Sequence, residues 1–318
     1  MQKFNINLET TILINNPNEK MISIVFGNSE NSLLTINFDS GQFLVNNQIP
    51  NNFLGNKKLN TLWITFDQTT GFYALGLKKK IGHKIIICDK INITKPVFQI
   101  ESNINVEFVN YVPINKSPRK FDKYCNLIDC FGLTMICKLN EQTFLHQTLC
   151  KIQDIIKNSE ISSYYGFTPS SSFHMTIFDL KLCEQQELNN KLIIIKSQLE
   201  SVLLSKSWTY FVMKLVNIEP NAFHIALKPS NEIMTKILNN YRTKISELTN
   251  ISIYPNYVFH ITLCYEIYPV KGPNEEIKSK LYKQISEIFN NSLLNYEHYF
   301  ENISICRFNN MGNFESVL

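Results

Sequence analysis

Two stretches of this chain share a pattern that could do chemistry. FHMTIFDL runs from Phe173 to Leu180 and FHITLCYE from Phe259 to Glu266, with their histidines 86 residues apart. In a β-strand alternate side chains share a face. His174 and Thr176 would then share one face, with Phe173, Met175 and Ile177 on the other. His260 and Thr262 would stand opposite Phe259, Ile261 and Leu263 in the same way. An imidazole can take or give a proton near neutrality. A threonine hydroxyl two residues on can donate to a phosphate oxygen. Two such pairs across a cleft supply a base, an acid and two donors, which is the equipment for general acid–base catalysis at a phosphodiester. A third string, FHIALKP from Phe223, has Ala226 where the others have threonine, so His224 lacks the paired hydroxyl. His83, His146 and His298 have no such context and are read as non-catalytic, His298 in a tyrosine-rich turn. Neither motif carries a second His, Cys or carboxylate at ligand spacing on its own face, since strict alternation sends Asp179 to the opposite side. No metal or other cofactor is expected.

The elements that must position these motifs are legible as periodicities. Residues 141–158, 184–206, 230–248 and 274–290 space their apolar positions as helices do, with Ser230 as N-cap of the third. Between and around them lie strand-like runs at 132–140, 171–180, 208–218, 222–229, 257–267 and 301–310. A strand–helix–strand theme therefore recurs in the two halves of residues 113–318, an α+β domain. Residues 1–112 read as β only: short runs rich in Ile, Val, Phe and Tyr, broken by Asn, Asp, Gly and Pro, as in an antiparallel sandwich. YVPINKSPRKFD, with two prolines, is the expected linker between the domains.

Composition narrows the partners. The 318 residues carry a net charge of +4, from 31 basic and 27 acidic side chains, with no basic tail or arginine-rich arm. Long duplex RNA, which needs many phosphate contacts, fits this balance less well than a small nucleotide. Arginine occurs only at 119, 242 and 307, so a phosphate would be held mostly by lysine, hydroxyls and histidine. No apolar run reaches the length of a membrane span, and the first residues lack a signal-peptide pattern. The eight cysteines are scattered, and Cys125 and Cys130 lack the tight C-x₂-C spacing. Buried thiols in a reduced, cytoplasmic protein are the expectation.

The paired His-x-Thr strands resemble the two-histidine (2H) phosphoesterase superfamily, which includes the LigT-like RNA phosphodiesterases. RKFD at 119–122, FTPSSSFHMTIFD at 167–179 and YPNYVFHITLCYEI at 254–267 extend the likeness over about residues 113–318. The resemblance implies a two-lobed, pseudo-symmetric α+β domain with the histidine strands lining a central cleft. It implies cleavage of a phosphodiester involving a ribose 2′-oxygen, in substrates such as 2′,3′-cyclic phosphates, 2′,5′-oligoadenylates or cyclic dinucleotides. His174, Thr176, His260 and Thr262 carry over as catalytic residues. Tyr165, Ser170, Ser171 and Tyr265 are expected to touch the nucleotide, although alternation sets Tyr265 on the core face. A signalling nucleotide such as 2′,3′-cGAMP or an oligoadenylate is the substrate expected first. The alternatives are an RNA-end enzyme acting on 2′,3′-cyclic phosphates or joining tRNA halves, and a non-enzymatic sensor of a nucleotide or glycan. LWITFD, YALGL and IIICD in residues 62–89 resemble the β-sandwich module of farnesoic acid O-methyltransferase-like proteins, which implies a domain that binds a ligand or protein. Trp63 and Tyr73 are read there as core residues before ligand-stacking ones.

Overall fold

The computed structural model describes residues 10–15, 22–27, 32–39, 42–45, 61–67, 69–77, 85–90, 97–102 and 106–109, then 114–182, 185–203, 210–220, 222–272 and 274–317. The chain divides into two compact units, Met1–Lys116 with Tyr268–Ser279, and Ser117–Ile267 with Lys280–Leu318. The division at Lys116 falls inside the expected linker. Tyr268–Ser279, which lies within the expected second domain, groups with the first unit. The reason is local. Tyr268 stacks on Phe72 at 3.7 Å between ring centroids, the Cys88 N–H donates to the Lys271 carbonyl, and the Asn274 side-chain amide donates to the Asp89 carboxylate at 2.7 Å. His83 lies outside the described residues.

The first unit is β only in its described N-terminal part. Its strands are β1 (Thr10–Asn15), β2 (Ile22–Gly27), β3 (Ser32–Asp39), β4 (Gln42–Val45), β5 (Thr61–Phe66), β6 (Phe72–Leu77), β7 (Ile85–Lys90), β8 (Val97–Ser102) and β9 (Val106–Val109). They form a five-stranded sheet, β7-β6-β5-β1-β9, and a four-stranded sheet, β4-β3-β2-β8, with every pairing antiparallel. β5 is buried on both faces. Trp63 and Tyr73 are core residues, 1% and 2% exposed. The Trp63 ring lies against Gly76, where a Cβ would come within 2.2 Å of it, so no larger residue fits there without moving the indole.

The second unit holds β10 (Gly132–Lys138), α1 (Phe144–Lys157), β11 (Tyr165–Phe167), β12 (His174–Leu182), α2 (Gln185–Leu203), β13 (Tyr210–Glu219), β14 (His224–Pro229), α3 (Glu232–Thr249), β15 (Phe259–Thr262) and β16 (Cys264–Glu266). α4 (Asn274–Ser292), β17 (Glu297–Glu301), β18 (Ile303–Asn310) and β19 (Asn313–Ser316) complete the chain. One eight-stranded antiparallel sheet runs β17-β13-β14-β15-β12-β10-β18-β19. Its middle is pseudo-symmetric. The order β10-α1-β12-α2-β13 repeats as β14-α3-β15-α4-β18, and each repeat's last strand crosses to flank the other repeat's first. The two histidine strands, β12 and β15, are thereby central neighbours.

Local sequence explains most boundaries. α1 begins at Thr143, whose hydroxyl accepts from the His146 N–H, and buries Leu145, Leu149, Ile152 and Ile156 along one face. α3 is capped by Asn231, not by the expected Ser230. The Asn231 side chain accepts from the Met234 N–H at 2.9 Å, while the Ser230 N–H is taken by the Val212 carbonyl in the β13–β14 ladder. His298 sits in β17 and not in a turn. It is 7% exposed and packs edge-on against Phe300 at 4.8 Å.

One buried side chain ties α1 to both halves of the sheet. Gln153, 1% exposed, donates from its amide to the Thr168 carbonyl at 2.9 Å and to the Leu263 carbonyl at 2.7 Å. Its own oxygen accepts from Lys157 at 2.7 Å. Gln153→Leu keeps the volume but strips both carbonyls of their best donor. We expect it to cost about 1–3 kcal/mol in chemical denaturation. An unchanged denaturation midpoint would show the tie to be idle.

Candidate active site

β12 and β15 pair antiparallel at Met175 and Ile261. Continuing that register sets His174 beside Thr262 and Thr176 beside His260. The neighbouring ladders extend both rows: His224 pairs Thr262 and Lys138 pairs His174, while Ala226 pairs His260 and Ile136 pairs Thr176. Met175, Ile177, Ile261 and Leu263 are fully buried on the other side. His174, Thr176, His260 and Thr262 are half-buried and line one cavity of about 450 Å³.

Both imidazoles are held in the same way. His174 Nδ1 lies 2.6 Å from the Ser172 carbonyl, and His260 Nδ1 lies 2.8 Å from the Val258 carbonyl. A carbonyl carries no proton, so each Nδ1 is the donor. The proton of the neutral ring is thus fixed on Nδ1, and Nε2 keeps its lone pair for chemistry. The support behind His174 is layered. His146 on α1 is oriented to donate from Nε2 to the Ser170 carbonyl at 3.0 Å, and its ring packs on Phe173 at 5.6 Å. The Ser172 hydroxyl donates to the Pro169 carbonyl at 2.6 Å. These contacts hold the short turn that presents the Ser172 carbonyl.

The two histidines differ electrostatically. Burial pushes the His174 pKa down to about 4. The Ser172 carbonyl opposes that shift, and the positive charges of His260, Lys138 and Lys120 reinforce it. His174 is therefore neutral across the physiological range. His260 has a third imidazole beside it: His224, at 4.9 Å between ring centroids, its pKa lowered by burial and by His260. His224 lies next to His260 in space but outside the cavity lining.

The structure brings two residues into the cavity that strict alternation would turn away. In β12, Thr176 pairs Ile136 and Phe178 pairs Met135, so Ile177 is the extra residue of a β-bulge. The parity flips there, and Asp179 rejoins the face of His174 and Thr176, correcting its expected place on the opposite side. In the second motif the strand breaks at Leu263, whose freed carbonyl is the one that Gln153 holds. Beyond the break, Tyr265 faces the cavity and not the core. Asp179 and Tyr265 occupy the same place, five residues after their histidines.

Other predicted contacts fall elsewhere. Tyr165 is 1% exposed and packs on Phe223 at 5.3 Å. Ser170 and Ser171 lie in a single helical turn outside the lining, and Ser170 contributes its carbonyl to His146. The cavity instead recruits residues given no role from the sequence, although Lys120 lies in RKFD and Tyr257 in YPNYVFHITLCYEI. Lys120 lies 4.6 Å over the Tyr265 ring and donates to its hydroxyl at 3.4 Å. Tyr257 stands beside His260, with the buried Arg242 guanidinium 4.8 Å from its ring. Burial raises the Tyr257 pKa, and the Asp179 charge adds to that, against the nearby Thr176 hydroxyl. Phe308, Met311 and Phe314 form an apolar wall, with Phe314 at 4.4 Å from the His174 ring. Among the described residues no group of three or more His, Cys, Asp or Glu could hold a metal ion, and no helix is long and apolar enough to cross a membrane.

Residues 120–191 match the 2H-phosphodiest family model, described as a domain of unknown function (DUF1868). That segment contains the first histidine motif; the second lies beyond it. Among solved structures, the chain is similar to a conserved protein of unknown function, ATU0111, from Agrobacterium tumefaciens strain C58. The identity is 16% and the TM-score 0.52, over 63% of this chain and 89% of that one. A second similar structure is Escherichia coli LigT in apo form, at 10% identity and TM-score 0.36, over 60% of this chain and 96% of that one. The likeness to the Agrobacterium protein shows a shared fold. No curated protein matches the sequence.

One glycine supports the Lys120 side of the cavity. A Cβ at Gly166 would come within 2.3 Å of the Phe121 ring, which packs on Tyr265 at 5.3 Å. Gly166→Ala must displace Phe121, and with it Lys120 and Tyr265. We expect a loss of about 1–3 kcal/mol in thermal or chemical unfolding. A crystal structure of the variant with Phe121 and Tyr265 unmoved would contradict the packing argument.

Proposed function

We propose, from the premise that this chain belongs to the 2H phosphoesterase superfamily and acts on phosphodiester bonds, that it cleaves a small nucleotide phosphodiester involving a ribose 2′-oxygen. In this reading His174 is the general base and His260 the general acid. The observation that carries it is the crossed arrangement of the two His-x-Thr pairs on one cavity wall. The cavity volume suits a nucleotide-sized ligand, and its polar groups are few and convergent.

The geometry supports a single sequence of proton transfers. His174, kept neutral by burial and surrounding positive charge, takes the proton of the attacking oxygen on Nε2. That oxygen forms its bond to phosphorus as the bond to the leaving oxygen breaks. The leaving oxygen takes a proton from Nε2 of His260. The Ser172 carbonyl steadies the imidazolium formed at His174, because the Nδ1–H that donates to it becomes more acidic. Thr176 and Thr262 donate to the non-bridging phosphate oxygens, where negative charge builds in the transition state. Lys120 adds a cation on the same cavity. No step calls for a metal, so activity should survive chelation. The substrates that fit first are 2′,3′-cyclic phosphates and 2′–5′-linked signalling nucleotides such as 2′,3′-cGAMP or oligoadenylates. A panel of these, assayed in EDTA, tests the substrate reading.

His174→Ala and His260→Ala should each lower turnover by at least ~10² with little change in stability. Near-parental turnover in either would remove that histidine from the mechanism. Thr176→Val and Thr262→Val keep branching and volume but lose the donor, and each should cost about tenfold to a hundredfold.

The pH profile follows from the His174 environment. A general base must be deprotonated, so kcat/KM falls on the acid side only as pH drops through its pKa. With that pKa pushed down to about 4, the acid limb should lie well below neutrality. An acid limb between pH 6 and 7 that disappears in His174→Ala would reverse the electrostatic argument.

A further inference from the structure

The cavity has two unlike ends. Lys120 lies on Tyr265 at one. At the other, Asp179 stands near Tyr257, whose ring is backed by Arg242. Asp179 is the one carboxylate among the described residues of the lining. It is exposed and makes no hydrogen bond or salt bridge among the described residues, although its charge acts on Tyr257 and on the Arg242 guanidinium. A carboxylate in a cavity that admits an anionic phosphodiester repels its ligand unless it meets hydrogen-bond donors there. The bulge at Ile177 is what turns it inward, so its presence on this face is built into the strand.

Resting on the phosphodiesterase reading, we propose that Asp179 is a specificity-determining residue that accepts hydrogen bonds from the N–H edge of the substrate's nucleobase, with guanine the base it favours. The Ile177 bulge sets Thr176 and Asp179 opposite Ile136 and Thr134, two residues apart on the partner strand, or roughly 7 Å. Asp179 therefore stands one step along the cavity from a phosphate donor, within reach of the nucleoside attached to that phosphate. Chemistry then selects the base. A carboxylate is an acceptor only, with two oxygens in one plane. Guanine presents N1–H and N2–H side by side, so both oxygens can be used. Adenine and cytosine offer one amino group beside an acceptor, which would face the second oxygen. Tyr257, beside Asp179, offers the aromatic face on which a base can stack.

The test compares guanosine with inosine, which lacks only the N2 amino group. Binding of the two nucleoside 2′-monophosphates is measured by calorimetry, and kcat/KM on the two 2′,3′-cyclic phosphates by product formation. Both are done for the parent, Asp179→Asn and Asp179→Ala, with thermal unfolding as the check on folding. The expected result is a preference for guanosine of about tenfold to a hundredfold in the parent, the discrimination typical of a paired base contact. It should shrink to near unity in both variants. The Asp179→Asn change sets an amide N–H₂ against the guanine donors, so it should not preserve the preference. Equal binding of guanosine and inosine by the parent would overturn the proposal, as would a preference that survives in the variants. An equal loss for every base would also overturn it, since that reports a sugar or charge contact. Guanosine-selective binding without turnover would leave the Asp179 assignment standing and sink the phosphodiesterase reading. Turnover without base discrimination would do the reverse.

Discussion

Two short strands meet antiparallel at Met175 and Ile261, and the backbone hydrogen bonds around that pair set each imidazole beside the other strand's threonine. The register leaves little freedom. A slip of one residue would send both histidines into the core and bring Met175 and Ile261 out to the cavity. Burial of those apolar residues therefore enforces the crossed His/Thr arrangement, because the same period of two governs both faces. The flanking strands complete the row, with Lys138 on one side and His224 on the other. Around this pairing the two repeats exchange their closing strands, so neither half can be built without the other.

Departures from regular pairing matter as much as the pairing. A bulge at Ile177 and a break at Leu263 each shift the alternation once, at matching places in the two repeats. Each exposes a backbone group or packs an extra side chain, and the fold absorbs the cost nearby. Gln153 and Thr168 satisfy the Leu263 carbonyl. The return is that the fifth residue after each histidine reaches the cavity. In one repeat that residue is an acid and in the other a phenol paired with a lysine, so a symmetric scaffold carries an asymmetric site.

The two histidines are likewise equivalent in hydrogen bonding and unequal in surroundings. Each donates Nδ1–H to the carbonyl two residues before it. Around His174, burial first and the nearby cations after it push the pKa down to about 4. Identical local geometry presets the tautomers, while unlike neighbours make the surroundings of the two rings unequal.

Much of the second unit was legible from local pattern. The helical periodicities, the strand runs and the two His-x-Thr motifs all depend on residues close together in the chain, where alternation and the period of a helix apply directly. The same locality explains what was missed. Strict alternation puts Asp179 and Tyr265 on the wrong face because the bulge at Ile177 and the break at Leu263 are set by pairing with other strands, not by the residues themselves. Ser230 lost the N-cap to Asn231 because its N–H had been claimed by Val212 across a hairpin. Tyr165 lies near a motif along the chain yet is buried against Phe223, and His298 lies in a strand that only its partner β13 defines. Residue types and their spacing were enough to single out two imidazoles and two hydroxyls as one candidate group. Long-range packing was needed to bring them to one wall, to keep one histidine neutral, and to stand a particular lysine, tyrosine and aspartate around them. Those outcomes depend on strand register, burial and charge contributed from distant parts of the chain, and none of these is encoded in any single stretch.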